Sequence, residues 1–117
     1  QANFFHTINI SENVEVLSFT SSAAFNDNNG NQHYIEKINF PLSITGITAN
    51  AFENVRVTTP SDYLRITGSG TPLANDSFYN SNVVKVVDLS GSTGTWSDRS
   101  NTFAGANTTD LSNNIKS

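Results

Sequence analysis

The chain has 117 residues, no cysteine and a formal net charge of −4 at pH 7. This length corresponds to one domain, which can bury a core of its own without a disulfide or a metal. The six Lys and Arg residues are scattered singly, so the chain lacks the basic patch that binds a nucleic-acid backbone. No apolar run is long enough to span a bilayer. The composition therefore excludes nucleic acid as a partner and excludes a membrane-embedded chain.

Neutral hydrogen-bonding side chains dominate the polar residues. The sequence contains 17 Asn, 15 Ser and 13 Thr. A surface of this kind carries little long-range repulsion, so it suits close packing of copies or contact with glycans. The same residue types also mark turns. The composition allows both interpretations.

The N-terminus indicates processing. The first residue is Gln1, and the sequence contains no Met. We therefore expect that a signal peptide has been removed and that the protein is secreted, extracellular or attached to a cell surface. The alternative is a boundary chosen for expression.

The first predicted strand covers residues 3–10, where apolar and polar residues alternate. One face carries Phe4, His6, Ile8 and Ile10. A short polar link, residues 11–13, separates this strand from the rest. We therefore divide the chain into an N-terminal strand at residues 1–11, a possible donor strand, and a domain at residues 12–117.

The central predicted strand covers residues 34–45, and its apolar residues again occupy every second position. Pro41 lies within it and indicates an edge or a kink, because proline cannot donate to a ladder. A β-branched segment at residues 83–89 is the second candidate for a central strand. The residues predicted to be buried are Ile38, Phe40, Leu42, Ile44, Val84 and Val86.

Further short strands are predicted at residues 14–20, 54–58 and 63–67, with a weak one at 95–103. Residues 48–53 are compatible with a single helical turn, and residues 104–117 are predicted to be loose. No amphipathic helix and no internal repeat is recognised. The predicted fold class is all-β, a single antiparallel β-sandwich that is immunoglobulin-like or jelly-roll-like. A small barrel is the alternative.

A catalytic motif is absent from the sequence. The glycines at 68, 70, 91 and 94 lack both the Gly-x-Ser-x-Gly spacing of a nucleophile elbow and the lysine of a phosphate-binding loop. We therefore expect neither an enzyme nor a cofactor. The one weak metal candidate is a calcium loop with oxygen ligands from Asp27, Asn29 and Asn31. It is not an EF-hand, because Gln32 and Ile38 occupy the positions that require glycine and glutamate.

The position of the first strand suggests a structural function. An alternating N-terminal strand before a cysteine-free sandwich of low charge is similar to the arrangement in extracellular filament subunits that exchange strands. This pattern predicts a subunit of an extracellular homopolymer, such as a pilus-like filament or a surface assembly, that grows by β-strand addition. The predicted subunit interface consists of Phe4, His6, Ile8 and Ile10.

The alternative function is a secreted carbohydrate-binding or adhesion module. In it, exposed aromatic rings stack on sugars while Asn and Asp side chains bind the hydroxyl groups. The best candidates for stacking are Trp96 and Tyr63, followed by Tyr34 and Tyr79.

Overall fold

The computed structural model describes residues 6–20 and 35–94, together with the backbone of residues 115–116. Every regular element in these residues is a strand, so the predicted all-β class is confirmed. No described helix is long and apolar enough to cross a membrane. The strands are β1 (His6–Asn9), β2 (Val16–Leu17), β3 (Ile35–Asn39), β4 (Gly46–Ile47), β5 (Leu64–Gly68), β6 (Val87–Ser92) and β7 (Ile115–Lys116).

All strand pairs among these elements are parallel: β1 with β3, β2 with β4, and β5 with β6 and then β7. Thr7 lies opposite Lys37, and Leu64 lies opposite Val87, which in turn lies opposite Ile115. The chain thus returns to the same place after 22 to 30 residues each time, and each return stacks on the one before. Such a stack of turns is a β-solenoid.

The predicted antiparallel sandwich is therefore wrong for the described strands. Alternation of apolar and polar residues shows that one face of a strand is buried, but it does not fix the direction of the neighbouring strand. Residues 68–72, which contain Gly and Pro, end β5 and form a corner of a turn without reversing the direction of pairing. Residues 115–116, predicted to be loose, form β7.

The core lies inside the stack. Of the residues predicted to be buried, Ile38, Ile44 and Val84 are buried, while Phe40 and Val86 are only half-buried. Leu42 is 70% exposed, so the prediction for this residue is wrong. The reason is that β3 ends at Asn39 and the chain turns a corner at residues 42–43, which interrupts the alternation.

Residues 48–55 and 74–81 form two equivalent corners, one above the other. Phe52 and Phe78 occupy the same position in each, and their rings stack with centroids 5.4 Å apart and planes 11° apart. The backbone N–H of Phe52 donates to the carbonyl of Ser77 at 2.8 Å. Four residues of these corners have positive φ: Asn50, Asn54, Asp76 and Asn80.

These corners correct two predictions. The expected helical turn at residues 48–53 is a series of β-turns, with N–H groups of residues 51, 53 and 55 bonded to carbonyls of residues 48, 50 and 52. The same pattern recurs in the next turn of the stack, where residues 77, 79 and 81 bond to residues 74, 76 and 78. The chain therefore does contain an internal structural repeat.

Ser and Thr hydroxyl groups connect successive turns. Thr48 donates to the carbonyl of Leu17 at 3.0 Å, and Ser61 donates to the carbonyl of Ile38. The same contact is made by Ser43 to Val14, Thr45 to Glu15, Thr58 to Ile35 and Thr93 to Gly68. In each case the acceptor belongs to the preceding turn. In the contacts of Thr45, Thr48, Thr58 and Thr93, the same carbonyl also accepts the backbone N–H of the donating residue. The Ser and Thr hydroxyls thus add bonds between successive turns to those that the backbone makes.

Candidate functional site

The first candidate site is the outer edge of the first turn, which we define as residues 6–20. Within the described part of the chain, β1 has a neighbouring strand on one side only, and so does β2. β3, by contrast, lies between β1 and a bridge from Ile35 to Val57. Among the described residues, the first turn therefore presents an open parallel edge.

Apolar side chains in the first turn are less buried than their equivalents in the next. Ile8 lies opposite Ile38 in the β1–β3 ladder, and Ile8 is half-buried whereas Ile38 is fully buried. Val16 lies opposite Gly46 and is 53% exposed. Ile8, Ile10, Val14 and Phe19 all contact the core without being buried in it. A solenoid turn buries its apolar face through the turns above and below it, and among the described residues the first turn has such cover on one side.

The direction in which the N–H groups of β1 point decides which of them can bond to a further strand at this edge. The N–H of Ile10 donates to the carbonyl of Asn39 at 3.0 Å. Because successive peptide groups in a strand point to opposite sides, the N–H groups of Ile8 and Ile10 point towards β3. The N–H groups of Thr7 and Asn9 then point to the open edge.

Three of the four predicted interface residues lie on this first turn. His6 is exposed, and Ile8 and Ile10 are half-buried. The fourth, Phe4, lies outside the described residues. In addition, β1 pairs with β3 of its own chain, an arrangement that the sequence left open. Val16, on β2, was not predicted as an interface residue, although its alternation with Leu17 was visible in the sequence.

The second candidate site lies on the outer face of β5 and β6, and we call it the Arg65 face. It consists of Tyr63, Arg65, Thr67, Asp88 and Ser90. Arg65 lies opposite Asp88 in the ladder, and Asp88 lies opposite Lys116 of β7. A cationic residue thus occupies the ladder position on each side of Asp88.

Asp88 is 3% exposed and accepts hydrogen bonds at both carboxylate oxygens. The Tyr63 hydroxyl donates to one of them, and the N–H of Ser90 donates to the other at 2.8 Å. The hydrogen bond to Asp88 raises the pKa of Tyr63 above its ordinary value of 10.0. Partial burial and the negative charge of Asp88 also raise this pKa, whereas the positive charge of Arg65 lowers it. These bonds fix the Tyr63 ring, which is 45% exposed.

The guanidinium of Arg65 lies across Gly91. A Cβ atom built on Gly91 would lie 2.8 Å from Cγ2 of Thr67, 3.0 Å from Nη2 of Arg65 and 3.3 Å from Nε of Arg65. A glycine at this position therefore leaves room for the guanidinium. Neither the guanidinium of Arg65 nor the hydroxyls of Thr67 and Ser90 form a hydrogen bond or an ion pair with another described residue.

Of the predicted stacking residues, the structure places Tyr63 on this face and Tyr79 half-buried at a corner. Trp96 and Tyr34 lie outside the described residues. The candidate calcium ligands Asp27, Asn29 and Asn31 lie outside them as well. In the part of the chain that the structure describes, no group of three or more His, Cys, Asp or Glu residues could hold a metal ion.

Comparison with known proteins gives no relative: no family model, no curated protein and no solved structure matches this chain.

Proposed function

We propose that this chain is a non-enzymatic structural subunit of an extracellular polymer, in which a strand of a neighbouring copy adds to the open edge of β1. The observation that carries the proposal is the half-exposed apolar surface of the first turn beside an open parallel edge. Strand addition supplies main-chain hydrogen bonds to such an edge and covers its apolar side chains.

The role of β1 differs from the one that the sequence suggested. Since β1 already pairs with β3 of its own chain, residues 6–9 accept a strand in this proposal and do not leave to join a neighbour. The added strand runs parallel to β1, as all the described pairs do. Its residues bond to the outward backbone groups of Thr7 and Asn9.

A second copy suits this edge for two reasons. The surface is rich in Asn, Ser and Thr and carries few charges, so copies approach each other with little repulsion. The edge of β1 would also pair with a different strand of the next copy, and such a heterologous contact propagates along an axis instead of closing on itself. One small domain can then build a long fibre.

The test compares two exposed apolar residues. Val16→Glu places a charge at the edge of the first turn, whereas Leu42→Glu places the same charge on a corner of the second turn. Sedimentation velocity at increasing concentration should show association of the unmodified chain and of Leu42→Glu, and monomers for Val16→Glu. Equal circular dichroism spectra would show that both variants fold.

Thr7→Pro tests the backbone part of the proposal. Proline removes the N–H that points to the open edge and spares the bonds to β3, so the variant should fold but associate poorly. An unmodified chain that stays monomeric at millimolar concentration would refute the assembly proposal. So would association that Val16→Glu and Leu42→Glu weaken equally.

A further inference from the structure

We propose that the Arg65 face binds an acidic sugar, that is, a glycan unit that carries a carboxylate. This inference goes beyond assembly, because the face lies on β5 and β6 and needs no second copy. It is carried by one juxtaposition: an exposed tyrosine ring, a guanidinium that no described residue pairs, and, beside Gly91, the hydroxyls of Thr67 and Ser90, which bond to no described residue.

The guanidinium provides the charge selectivity. Arg presents a planar fork of N–H donors that matches the two oxygens of a carboxylate. The Arg65 side chain is exposed and lies across Gly91, so its head group is held against the sheet. The carboxylate of Asp88, in contrast, accepts bonds from Tyr63 and from the N–H of Ser90. Among the described residues, Arg65 thus has no anionic partner, and in this proposal its guanidinium binds an anion from outside.

The tyrosine ring provides a surface for the sugar. Its hydroxyl is fixed by Asp88, so the ring loses little further freedom when a ligand stacks on it. An amphipathic ring of this kind packs against the C–H groups of a sugar while leaving the polar groups at the rim in contact with water. Thr67 lies opposite Gly91 in the ladder, and the exposed Ser90 directly precedes Gly91. Both hydroxyls can bond to sugar hydroxyls.

Charge favours an acidic sugar over a neutral one. Arg65 is exposed, whereas Asp88, its neighbour in the ladder, is buried. The charge that this face offers to a ligand is therefore positive, although the whole chain is acidic. A neutral sugar would leave the guanidinium without a partner.

The test is a titration of the full chain, followed by ¹⁵N-resolved NMR, with a short glucuronate oligomer, a neutral glucose oligomer of equal length and sodium acetate. We expect the acidic oligomer to shift resonances of residues 63–67 and 88–91. The glucose oligomer and acetate should shift them much less at the same concentration, because each satisfies only part of the face.

Two variants and a control assign the effect. Arg65→Gln should weaken binding of the glucuronate oligomer roughly tenfold, through loss of a charge-assisted pair. Gly91→Ala should weaken binding as well, because its methyl group would lie 2.8 Å from Cγ2 of Thr67 and 3.0 Å from Nη2 of Arg65 and would displace both side chains of the face. Arg56→Gln removes the same charge from another exposed position and should leave the affinity unchanged.

Three results would overturn the proposal. They are the absence of shifts on the Arg65 face, equal binding of the glucose oligomer, and an equal loss of affinity in Arg65→Gln and Arg56→Gln. Val16→Glu separates this proposal from that of assembly, since a monomeric variant should bind the glucuronate oligomer as well as the unmodified chain does.

Discussion

Phe52 is the side chain whose removal should damage the stack most. It is 1% exposed, and its ring contacts the rings of Phe19, Phe40 and Phe78 at centroid distances of 5.1, 5.7 and 5.4 Å. These contacts join the first turn to the third. Phe52→Ala should therefore lower the free energy of unfolding by about 3–5 kcal/mol, with the aromatic contacts placing it towards the upper end. A domain of this size has about 5–15 kcal/mol in total.

Phe40→Ala is the matched control. Phe40 is half-buried and packs edge-on against Phe52, so its loss removes less apolar surface from the core and should cost about half as much. Urea denaturation followed by circular dichroism measures both values. If Phe52→Ala costs no more than Phe40→Ala, then the stacked corners do not hold the turns together and the reasoning is refuted.

Three further predictions concern single positions. Gly46→Ala should destabilise the chain by about 1–3 kcal/mol, because its Cβ would lie 2.6 Å from the carbonyl oxygen of Thr71. The control is Gly70→Ala, which should leave the melting temperature unchanged because its Cβ would have no atom nearer than 3.9 Å. Ser77→Ala should stabilise the chain by about 1 kcal/mol, since the buried hydroxyl has no hydrogen-bond partner among the described residues and the equivalent residue of the preceding turn is Ala51. A lower melting temperature would contradict this. The bond to Asp88 raises the pKa of Tyr63, so the stability that this bond contributes is complete below about pH 10 and is lost as the pH rises through the folded-state pKa. Tyr63→Phe should remove this loss of stability at alkaline pH. An unchanged dependence of stability on pH in Tyr63→Phe would show that the bond to Asp88 does not contribute in this way.

The sequence predicts strands well because period-2 alternation is a local property. Residues 3–10 and 63–67 overlap β1 and β5, and Ile38 and Ile44 are buried as the alternation requires. The direction of pairing is a non-local property, since it depends on which distant strands meet. Leu42 shows the limit in one residue: it continues the alternation of Ile38 and Phe40, but the chain has already turned a corner.

A signal for the stacked turns was present in the sequence, but at a spacing that strand patterns do not reveal. Phe52 and Phe78 each have Asn or Asp two positions before and Asn two positions after, and these polar residues adopt the positive φ of the corners. In the sequence, Phe103 follows Phe78 at nearly the same spacing as Phe78 follows Phe52. Asn101 and Gly105 flank Phe103 at the same two positions, and both residue types favour positive φ. A search for repeats at this spacing would have favoured a solenoid over a sandwich.

The candidate sites were predictable to different degrees. The first turn was visible because His6, Ile8 and Ile10 alternate, and Tyr63 was visible as an aromatic residue near polar ones. The position of Arg65 across Gly91 was not visible, because it depends on the register of β5 with β6. No local pattern encodes that register.

The parallel stacking of turns is the central claim, and engineered disulfides between β1 and β3 test it most directly. The chain has no cysteine of its own, so each pair can be introduced alone. In the structure Thr7 lies opposite Lys37 and Asn9 opposite Asn39. The double variants Thr7→Cys with Lys37→Cys and Asn9→Cys with Asn39→Cys should each form a disulfide within one chain under mild oxidation, since opposite residues meet the distance that a disulfide requires.

The crossed pairs, Thr7→Cys with Asn39→Cys and Asn9→Cys with Lys37→Cys, would lie opposite each other only in an antiparallel arrangement. Mass spectrometry after oxidation of the monomer distinguishes the two sets. The parallel stack predicts rapid closure of the first set and slow or no closure of the crossed set. Rapid closure of the crossed pairs, with the direct pairs remaining reduced, would contradict it.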